Sequence, residues 1–168
     1  MARSRVGVVA VSAAALLGSA CVGWWIGGTA SRPNPAIVIR AIDGDTVVVR
    51  TGSGRTETVR LLGIDTPETH DPRKPVQCFG PEAAAYTKRA LTGRAVRLEL
   101  DVEARDKYGR LLAYIYLDGE PYNERLLKLG YARLLVIPPN GSHARTMLHE
   151  EIDARARGLG LWGACEGL

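Results

Sequence analysis

Histidine and cysteine are scarce in this sequence, with three of each among 168 residues. The histidines (His70, His143 and His149) are scattered along the chain, and no two cysteines have the Cys-x-x-Cys spacing. Structural zinc sites are built from clusters of these two residue types at short spacings. The sequence therefore argues against a zinc-binding module.

The sequence also lacks a strong excess of charge of either sign. Lysine and arginine total 22 against 18 aspartate and glutamate. Two of those arginines, Arg3 and Arg5, precede residue 31, so the rest of the chain carries 20 basic residues against 18 acidic ones. A net charge this small does not by itself indicate a nucleic-acid partner, which has to be inferred from a local site.

Charge is missing altogether from residues 6–28, which follow a basic start. A run of this length can span a bilayer, but small residues before Ala30 are also typical of a secretory signal cleaved at that point. Lipidation at Cys21 is a third alternative. All three alternatives export the protein, so we predict residues 1–30 to be a signal peptide or membrane anchor. The body of the protein is then secreted or membrane-anchored outside the cytoplasm.

The first half of the remaining chain is rich in strand signals. After a polar linker at residues 31–35, two β-branched runs at 36–42 and 45–51 flank an Asp-Gly turn, which predicts a hairpin. A third strand is predicted at 58–64. Proline at the first helical position and a glycine stop then predict a helix over residues 80–93.

The second half alternates between strands and helices. Residues 95–101 alternate strictly between apolar and polar side chains, and residues 111–117 form a second β-rich run, so both are predicted strands. Helical spacing of apolar residues predicts a helix over 123–134. A last helix is predicted to be capped by Ser142, to carry an apolar face and to stop at Gly158. That face consists of Ala144, Leu148, Ile152 and Ala156.

The order of these elements is three strands, a helix, two strands and two helices. A parallel sheet would need regular strand–helix alternation, which is absent. The order fits an α+β domain over residues 36–168, a five-stranded Greek-key barrel of the oligonucleotide/oligosaccharide-binding (OB) fold with three helices.

Acidic and basic residues stand where the predicted strands begin or end. Asp45 follows the hairpin turn, Arg60, Asp65 and Glu68 flank the end of the third strand, and Arg110 opens the fifth. Each residue alone is typical of a turn or a solvated strand end. Together, two carboxylates and a backbone carbonyl suit a hard cation, and two arginines suit a phosphodiester. A further carboxylate can orient or deprotonate water.

Three stretches of the sequence carry these residues: IDGDTVVV at 42–49, VRLLGIDTPET at 59–69 and DKYGRLLAYIYLDG at 106–119. Two more stretches, CFGPEA at 78–83 and NERLLKLGYA at 123–132, complete a fixed order with them. In this order they resemble the thermonuclease family, the staphylococcal-nuclease-like domains. The resemblance covers residues 36–162. It implies a five-stranded barrel with three helices and a calcium-dependent endonuclease acting on DNA and RNA. Such an enzyme cleaves the 5′ P–O bond and leaves 3′-phosphate ends.

The resemblance also implies a role for each matching residue around the cation. Asp45 and Asp65 would be calcium ligands, joined by the backbone carbonyl of Thr66. Glu68 would be the candidate general base beside the attacking water.

The basic and aromatic motif residues would bind the substrate. Arg60 and Arg110 would bind the scissile phosphate, and Lys107 and Tyr108 resemble positions that contact the terminal phosphate of the nucleotide. The sequence departs from the family pattern at residues 133–142, where tyrosines that help to bind the nucleotide are replaced by a stretch without aromatic residues.

Two cysteines, Cys78 and Cys165, remain in the part of the chain predicted to be exported. An even count in an oxidising compartment predicts a disulfide, and two unrelated thiols are the alternative. In the chain-entropy model, closing a loop of roughly 90 residues contributes about 4 kcal/mol to stability.

A different class of function uses the same barrel without catalysis, as a binding module for nucleic acid or protein. Loss of Arg60, Glu68 or Arg110 would indicate such a module, and all three are present. We therefore predict a monomeric hydrolase with DNA and RNA as substrates, Ca²⁺ as cofactor and membrane association through residues 6–28 if that segment is retained.

Overall fold

The computed structural model describes residues 34–69 and 75–165, and the predicted signal or anchor segment lies outside them. In chain order the elements are β1 (Asn34–Ala41), β2 (Thr46–Thr51), β3 (Thr56–Leu61), β4 (Gly63–Asp65), α1 (Gly80–Leu91), β5 (Ala95–Glu99), β6 (Leu111–Leu117), β7 (Glu120–Pro121), α2 (Tyr122–Lys128), β8 (Arg133–Leu135), α3 (Ala144–Ala156) and α4 (Leu161–Ala164). Within the described residues, no helix is long and apolar enough to cross a membrane.

Five strands close into a barrel. The neighbours β3, β2, β1, β5 and β6 pair antiparallel in that order, and β3 also pairs with β6 in parallel. In that closing pair, Arg60 stands opposite Leu112. Closure removes the free edges that an open sheet would expose. The predicted fold class, a five-stranded barrel with three main helices, is confirmed.

Branched aliphatic side chains fill the barrel because the strands are rich in valine, isoleucine and leucine. The innermost of them are buried, with at most 5% exposure: Val38, Val47, Val49, Val59, Leu61, Val96, Leu98, Ala113, Ile115 and Leu117. Helix α2 adds Tyr122, Leu126 and Leu127, which are fully buried. Burying each large apolar side chain contributes roughly 1.5–3 kcal/mol.

A disulfide joins the start of α1 to the end of the described chain. Cys78 and Cys165 are bonded, with their Cα atoms 5.9 Å apart and a sequence separation of 87 positions. The predicted disulfide is therefore present. It links the residue two positions before α1 to the residue that follows α4.

The prediction of a helix over residues 123–134 is wrong in its second half. Helix α2 ends at Lys128, and Gly130 adopts a φ of 71°, which favours glycine. The backbone then extends into β8, which pairs antiparallel with β4. The apolar residues after Gly130 therefore belong to a strand pair that flanks the bend between β3 and β4.

The last helix is also rotated from its predicted orientation. Ser142 does not cap it, because both the N–H and the hydroxyl of Ser142 donate to Asp101 Oδ2 at 3.1 Å, and α3 begins at Ala144. On the predicted apolar face, Leu148 is 43% exposed and Ile152 is 55% exposed.

Different residues of α3 face the domain. Met147 and Ala154 are fully buried. The Glu151 carboxylate between them accepts a hydrogen bond of 3.0 Å from the Leu134 N–H. This helix therefore docks through Met147 and Ala154 together with a polar contact to β8.

Candidate active site

Six residues singled out in the sequence line one cavity of about 200 Å³: Asp45, Arg60, Asp65, Thr66, Glu68 and Arg110. They come from the β1–β2 turn, from β3 and β4 with the loop that follows, and from the residue before β6. The convergence that the sequence could not establish is therefore present.

Strand pairing places Asp45 beside Arg60. Thr46 is the partner of Arg60 in the β2–β3 ladder, and the Leu61 N–H donates to the Asp45 carbonyl at 2.9 Å. The Asp45 carboxylate, only 8% exposed, lies 3.1 Å from Arg60 Nη2. An acid and a base at the ends of adjacent strands thus become a buried ion pair.

Helix α1 holds the turn that carries Asp45. The buried Thr87 hydroxyl donates to the Gly44 carbonyl at 2.7 Å, and the Tyr122 hydroxyl donates to Thr87 at 3.1 Å. Gly44 has no room for a side chain, because a Cβ there would lie 2.7 Å from the side chain of Thr66. The close approach allows the Thr66 N–H to donate to Asp45 Oδ2 at 2.9 Å.

Arg60 is fixed at the bend between β3 and β4. Its Nη1 donates to the carbonyls of Leu61 and Ile64 at 2.6 and 2.8 Å. Its Nη2 lies between two carboxylates, 3.1 Å from Asp45 and 3.3 Å from Asp65. The guanidinium is therefore preorganised by backbone contacts, and one of its nitrogens is shared by the two predicted calcium ligands.

Arg110 is oriented by Asp106, a residue that the sequence reasoning missed. Arg110 Nε donates to Asp106 Oδ2 at 2.7 Å, while the N–H groups of Tyr108 and Arg110 donate to Asp106 Oδ1 at 3.0 Å. Burial alone would raise the pKa of Asp106, but these hydrogen bonds outweigh it and hold the pKa below its usual value. The terminal nitrogens of Arg110 make no hydrogen bond to the described residues, so they can bind an anion.

Carboxylates crowd the same cavity. Burial, followed by the charge of Asp45, raises the pKa of Asp43 to about 6. Burial, then Asp45 and more weakly Glu68, raise the pKa of Asp65, against the opposing charges of Arg60 and Arg133. Asp43 was read from the sequence as a turn residue only. Four carboxylates and two guanidiniums line the cavity, so negative charge is in excess there.

This excess fits a bound cation with few protein ligands. Among the described residues, no three histidine, cysteine, aspartate or glutamate side chains gather as a metal cluster. A cation at this cavity would have to use Asp45, Asp65 and a backbone oxygen such as that of Thr66, with water and substrate completing its shell. Calcium accepts such all-oxygen, partly hydrated sites.

Glu68 lies in the loop after β4, on the wall of the cavity. Its Oε1 accepts a hydrogen bond of 2.8 Å from the Thr69 N–H. Its backbone is held by Gln77, which lines the same cavity and which no sequence signal pointed to. Glu68 therefore places a carboxylate on the cavity wall from the loop that follows β4.

Lys107 and Tyr108 line a second cavity of about 560 Å³ that shares Arg60 and Arg110 with the first. The Tyr108 ring is 72% exposed, and Lys107 Nζ and Arg110 Cζ lie 5.1 and 5.5 Å from its centroid. Residues 135 and 137 complete the wall with a leucine and an isoleucine. The predicted substrate-binding pair therefore lies next to the smaller, acid-lined cavity, against an aliphatic wall.

The family model described as "Staphylococcal nuclease homologue" matches residues 58–164. The chain belongs to this family. It is 44% identical over 131 residues to a thermonuclease of Staphylococcus intermedius, covering 78% of this chain and 77% of that protein. It is 43% identical over 125 residues to a thermonuclease of Staphylococcus hyicus, covering 74% and 73% of the two chains.

A third relative is the endonuclease YncB of Bacillus subtilis (strain 168), 43% identical over 125 residues, which are 73% of this chain and 59% of that protein. The resemblance to the thermonuclease family is thus confirmed. Family membership also confirms, at this level, the prediction that the chain is a nuclease, a hydrolase.

Proposed function

We propose that the chain is an exported, calcium-dependent endonuclease that hydrolyses phosphodiester bonds of DNA and RNA, cleaving the 5′ P–O bond to leave 3′-phosphate ends. One observation carries the proposal. Two acids, two arginines and a third acid from separate segments line the same cavity of about 200 Å³. The names of the relatives support the nuclease class, and the cavity supports the finer chemistry.

Asp45, Asp65 and the Thr66 carbonyl would hold the cation. When bound, Ca²⁺ would supply positive charge both to these crowded carboxylates and to a phosphate oxygen. The Thr66 N–H, held by Asp45 Oδ2 at 2.9 Å, fixes the backbone that presents the carbonyl. Calcium rather than zinc suits the site because all its donors are oxygen atoms.

The arginines would bind the phosphate from two sides. Asp106 occupies the Nε edge of Arg110 and leaves its terminal nitrogens for phosphate oxygens. Arg60 Nη2 lies between the carboxylates of Asp45 and Asp65, so it is the nitrogen that would turn to a phosphate bound beside them. Charge-assisted hydrogen bonds of this kind stabilise the negative charge that grows on the phosphoryl oxygens in the transition state.

Glu68 would take a proton from the attacking water. The water oxygen then forms a bond to phosphorus as the P–O5′ bond breaks, and the leaving 5′ oxygen takes a proton from solvent. A general base of this kind accelerates a reaction about 10²–10⁴-fold. No covalent intermediate is needed, and no cysteine or serine is found among the described residues that line the cavity.

The larger cavity would accept the nucleotide next to the cleaved bond. The exposed ring of Tyr108 can stack on any base, and the side chains of Lys107 and Arg110 beside it supply positive charge. This arrangement supports action on both DNA and RNA. The aliphatic wall of this cavity offers apolar contact, and the part of the lining that the structure describes contains no second aromatic ring.

The test uses the purified, oxidised full chain with covalently closed plasmid DNA and with single-stranded RNA. Calcium should yield nicked and linear plasmid and fragmented RNA, and a calcium chelator should abolish both. The DNA products should block polymerase extension until a phosphatase removes the 3′-phosphate. A folded protein without calcium-dependent cleavage would overturn the proposal and leave the non-catalytic binding module in its place.

Export is tested separately. The protein should be found in the culture fluid or in the membrane fraction, accessible to protease added outside the cells. N-terminal sequencing of the mature protein distinguishes cleavage after Ala30 from a retained anchor. A protein found only inside the cytoplasm would contradict this part of the proposal.

A further inference from the structure

Residues 77–80, directly before and at the start of α1, hold the backbone of Glu68 from both sides. The Glu68 N–H donates to Gln77 Oε1 at 2.8 Å, and the Gln77 N–H donates to the Glu68 carbonyl at 3.0 Å. The side-chain oxygen and the backbone N–H of Gln77 thus hold the backbone N–H and the carbonyl of Glu68. Such two-point contacts restrain position and orientation together.

Gly80 brings the same segment into direct contact with the loop that carries Glu68. A Cβ on Gly80 would lie 2.7 Å from Thr69 Cγ2, 3.0 Å from the Pro67 carbonyl and 3.2 Å from the Glu68 carbonyl. Real Cβ atoms essentially never approach another atom as closely as 2.7 Å, and most of their contacts are longer than 3.2 Å, so even alanine would require the loop to shift. The start of α1 therefore packs without a gap against residues 67–69.

The 77–80 segment is itself held by contacts remote from the cavity. Phe79 adopts a φ of 66°, a conformation that bulky residues rarely occupy without strong surrounding contacts. Its ring packs on Tyr131 with centroids 5.4 Å apart, and Cys78 is bonded to Cys165. Covalent and aromatic contacts thus anchor the segment on one side while Gln77 holds Glu68 on the other.

We propose that Gln77 is a positioning residue for Glu68 and that the Cys78–Cys165 disulfide keeps Gln77 in place. This inference rests on the proposed function, in which Glu68 is the general base. It assigns the disulfide a role in turnover in addition to stability. Placement matters because shifting a catalytic group by about 1 Å can cost up to 10²-fold in rate.

Gln77→Met tests the first part, because methionine keeps the length of the side chain and removes the acceptor for the Glu68 N–H. We expect kcat to fall about tenfold, with KM and the calcium requirement within about twofold of the wild type. Gln77→Glu, which keeps an acceptor oxygen, should retain most of kcat at saturating calcium. Equal kcat values for Gln77→Met and wild type would overturn the inference.

A double-mutant cycle separates positioning from general structural damage. In a Glu68→Gln background, Gln77→Met should change the residual rate by less than about twofold, since the group through which it acts is gone. A further tenfold loss in that background would show that Gln77 acts by another route. Gly80→Ala should behave as Gln77→Met does in both backgrounds.

Replacing both cysteines tests the second part. Cys78→Ser with Cys165→Ser should lower kcat at a temperature where circular dichroism shows the protein to be folded. Val49→Ala, a truncation in the barrel core away from the cavity, serves as the control: it should lower the melting temperature and leave kcat unchanged. If the serine pair lowers only the melting temperature, the disulfide has no role in positioning.

The proposed function and this inference fail in different ways. No calcium-dependent cleavage by the wild type would refute the function. Normal cleavage by the wild type together with a normal kcat for Gln77→Met would refute only the inference.

Discussion

Two clusters of acidic residues in this domain use the same residue types to opposite effect. In the first, the acid-lined cavity, Asp43, Asp45, Asp65 and Glu68 face one another with two arginines among them. In the second, which we call the histidine cluster, His143 lies between two glutamates. Its Nε2 is 3.0 Å from Glu99 and its Nδ1 is 3.0 Å from Glu124, so both ring nitrogens have carboxylate partners.

The pKa of Glu99 in the histidine cluster shifts in the opposite direction to the pKa values of Asp43 and Asp65 in the cavity. A hydrogen bond from Arg97, and a weaker one from His143, lower the pKa of Glu99. Burial would lower the pKa of His143, but the hydrogen bonds to Glu99 and Glu124 outweigh it and raise the pKa. In the cavity, by contrast, burial and mutual repulsion raise the pKa of Asp43 and Asp65. Paired opposite charges in the histidine cluster stabilise the fold, whereas the crowded carboxylates of the cavity favour the binding of a cation.

The largest expected effect is a loss of turnover when residues of the acid-lined cavity are substituted. Glu68→Gln should lower kcat about 10²–10⁴-fold because it removes the proposed general base. Arg110→Lys should lower kcat about 10²-fold because lysine cannot bind phosphate with a planar fork. Both variants should melt within a few degrees of the wild type. Glu99→Gln in the histidine cluster is the matched control, and a comparable loss of turnover there would break the contrast.

The next largest effect concerns calcium. Asp45→Asn keeps the shape of the side chain and removes one of the crowded charges. We expect the calcium concentration for half-maximal rate to rise by more than about tenfold. Asp118→Asn, at an exposed ion pair with Arg94, should leave that concentration unchanged. An unchanged calcium requirement in Asp45→Asn would show that the cation does not bind at this carboxylate.

A smaller effect should come from the edge of the larger cavity. Tyr108→Ala removes the exposed ring and should raise KM about five- to tenfold on single-stranded substrates, with kcat little changed. Tyr108→Phe keeps the ring and should behave as the wild type. If the two variants are equally impaired, the hydroxyl rather than the ring is the contact that matters.

The smallest effect belongs to the histidine cluster and appears in stability. Because the folded-state pKa of His143 is raised above its usual 6.5, its stabilisation is complete below that pH and is lost as pH rises through the folded value. Because the pKa of Glu99 is lowered from 4.5, the contribution of Glu99 is present above that pH and is lost as pH falls through the lower folded value. The histidine cluster should therefore stabilise the fold most between pH 4.5 and pH 6.5, the ordinary pKa values of glutamate and histidine.

Chemical denaturation of the wild type and His143→Gln checks this expectation. Between pH 5.5 and pH 8.5, the wild type should lose on the order of 1 kcal/mol more free energy of unfolding than the variant. The kcat values of the two proteins should agree at each pH. If the free energies of unfolding of the wild type and of His143→Gln fall by the same amount over this pH range, other groups cause the loss of stability at high pH.

Strand ends and turns could be predicted from the sequence because their signals are local. The Asp-Gly turn before Asp45 and the run of strand residues around Arg60 are where the sequence placed them. Their proximity could not be predicted from spacing, since it depends on pairing Thr46 with Arg60 and Arg60 with Leu112. The family resemblance implied that these residues converge on one site. In the fold, the pairing of β3 with β2 and with β6 brings them together.

Long-range polar contacts account for the remaining errors and omissions. The docked face of α3 includes Glu151, which accepts a hydrogen bond from the backbone of β8, and an apolar pattern does not encode such a contact. Asp106 and Gln77 lie in polar loops where nothing in composition marks one residue above its neighbours. Asp106 orients Arg110 and Gln77 holds Glu68, both through hydrogen bonds that exist only in the folded chain.

The parallel pairing of β3 with β6 has a consequence for how activity can be measured. That ladder closes the barrel, and it also brings Arg60 next to the strand that begins after Arg110. It joins segments distant in the chain, a kind of contact whose entropic cost makes it slow to form. The two arginines therefore meet only when the barrel has closed. Recovery of cleavage during refolding should report this last topological step, and should lag behind probes of the β1–β2 hairpin.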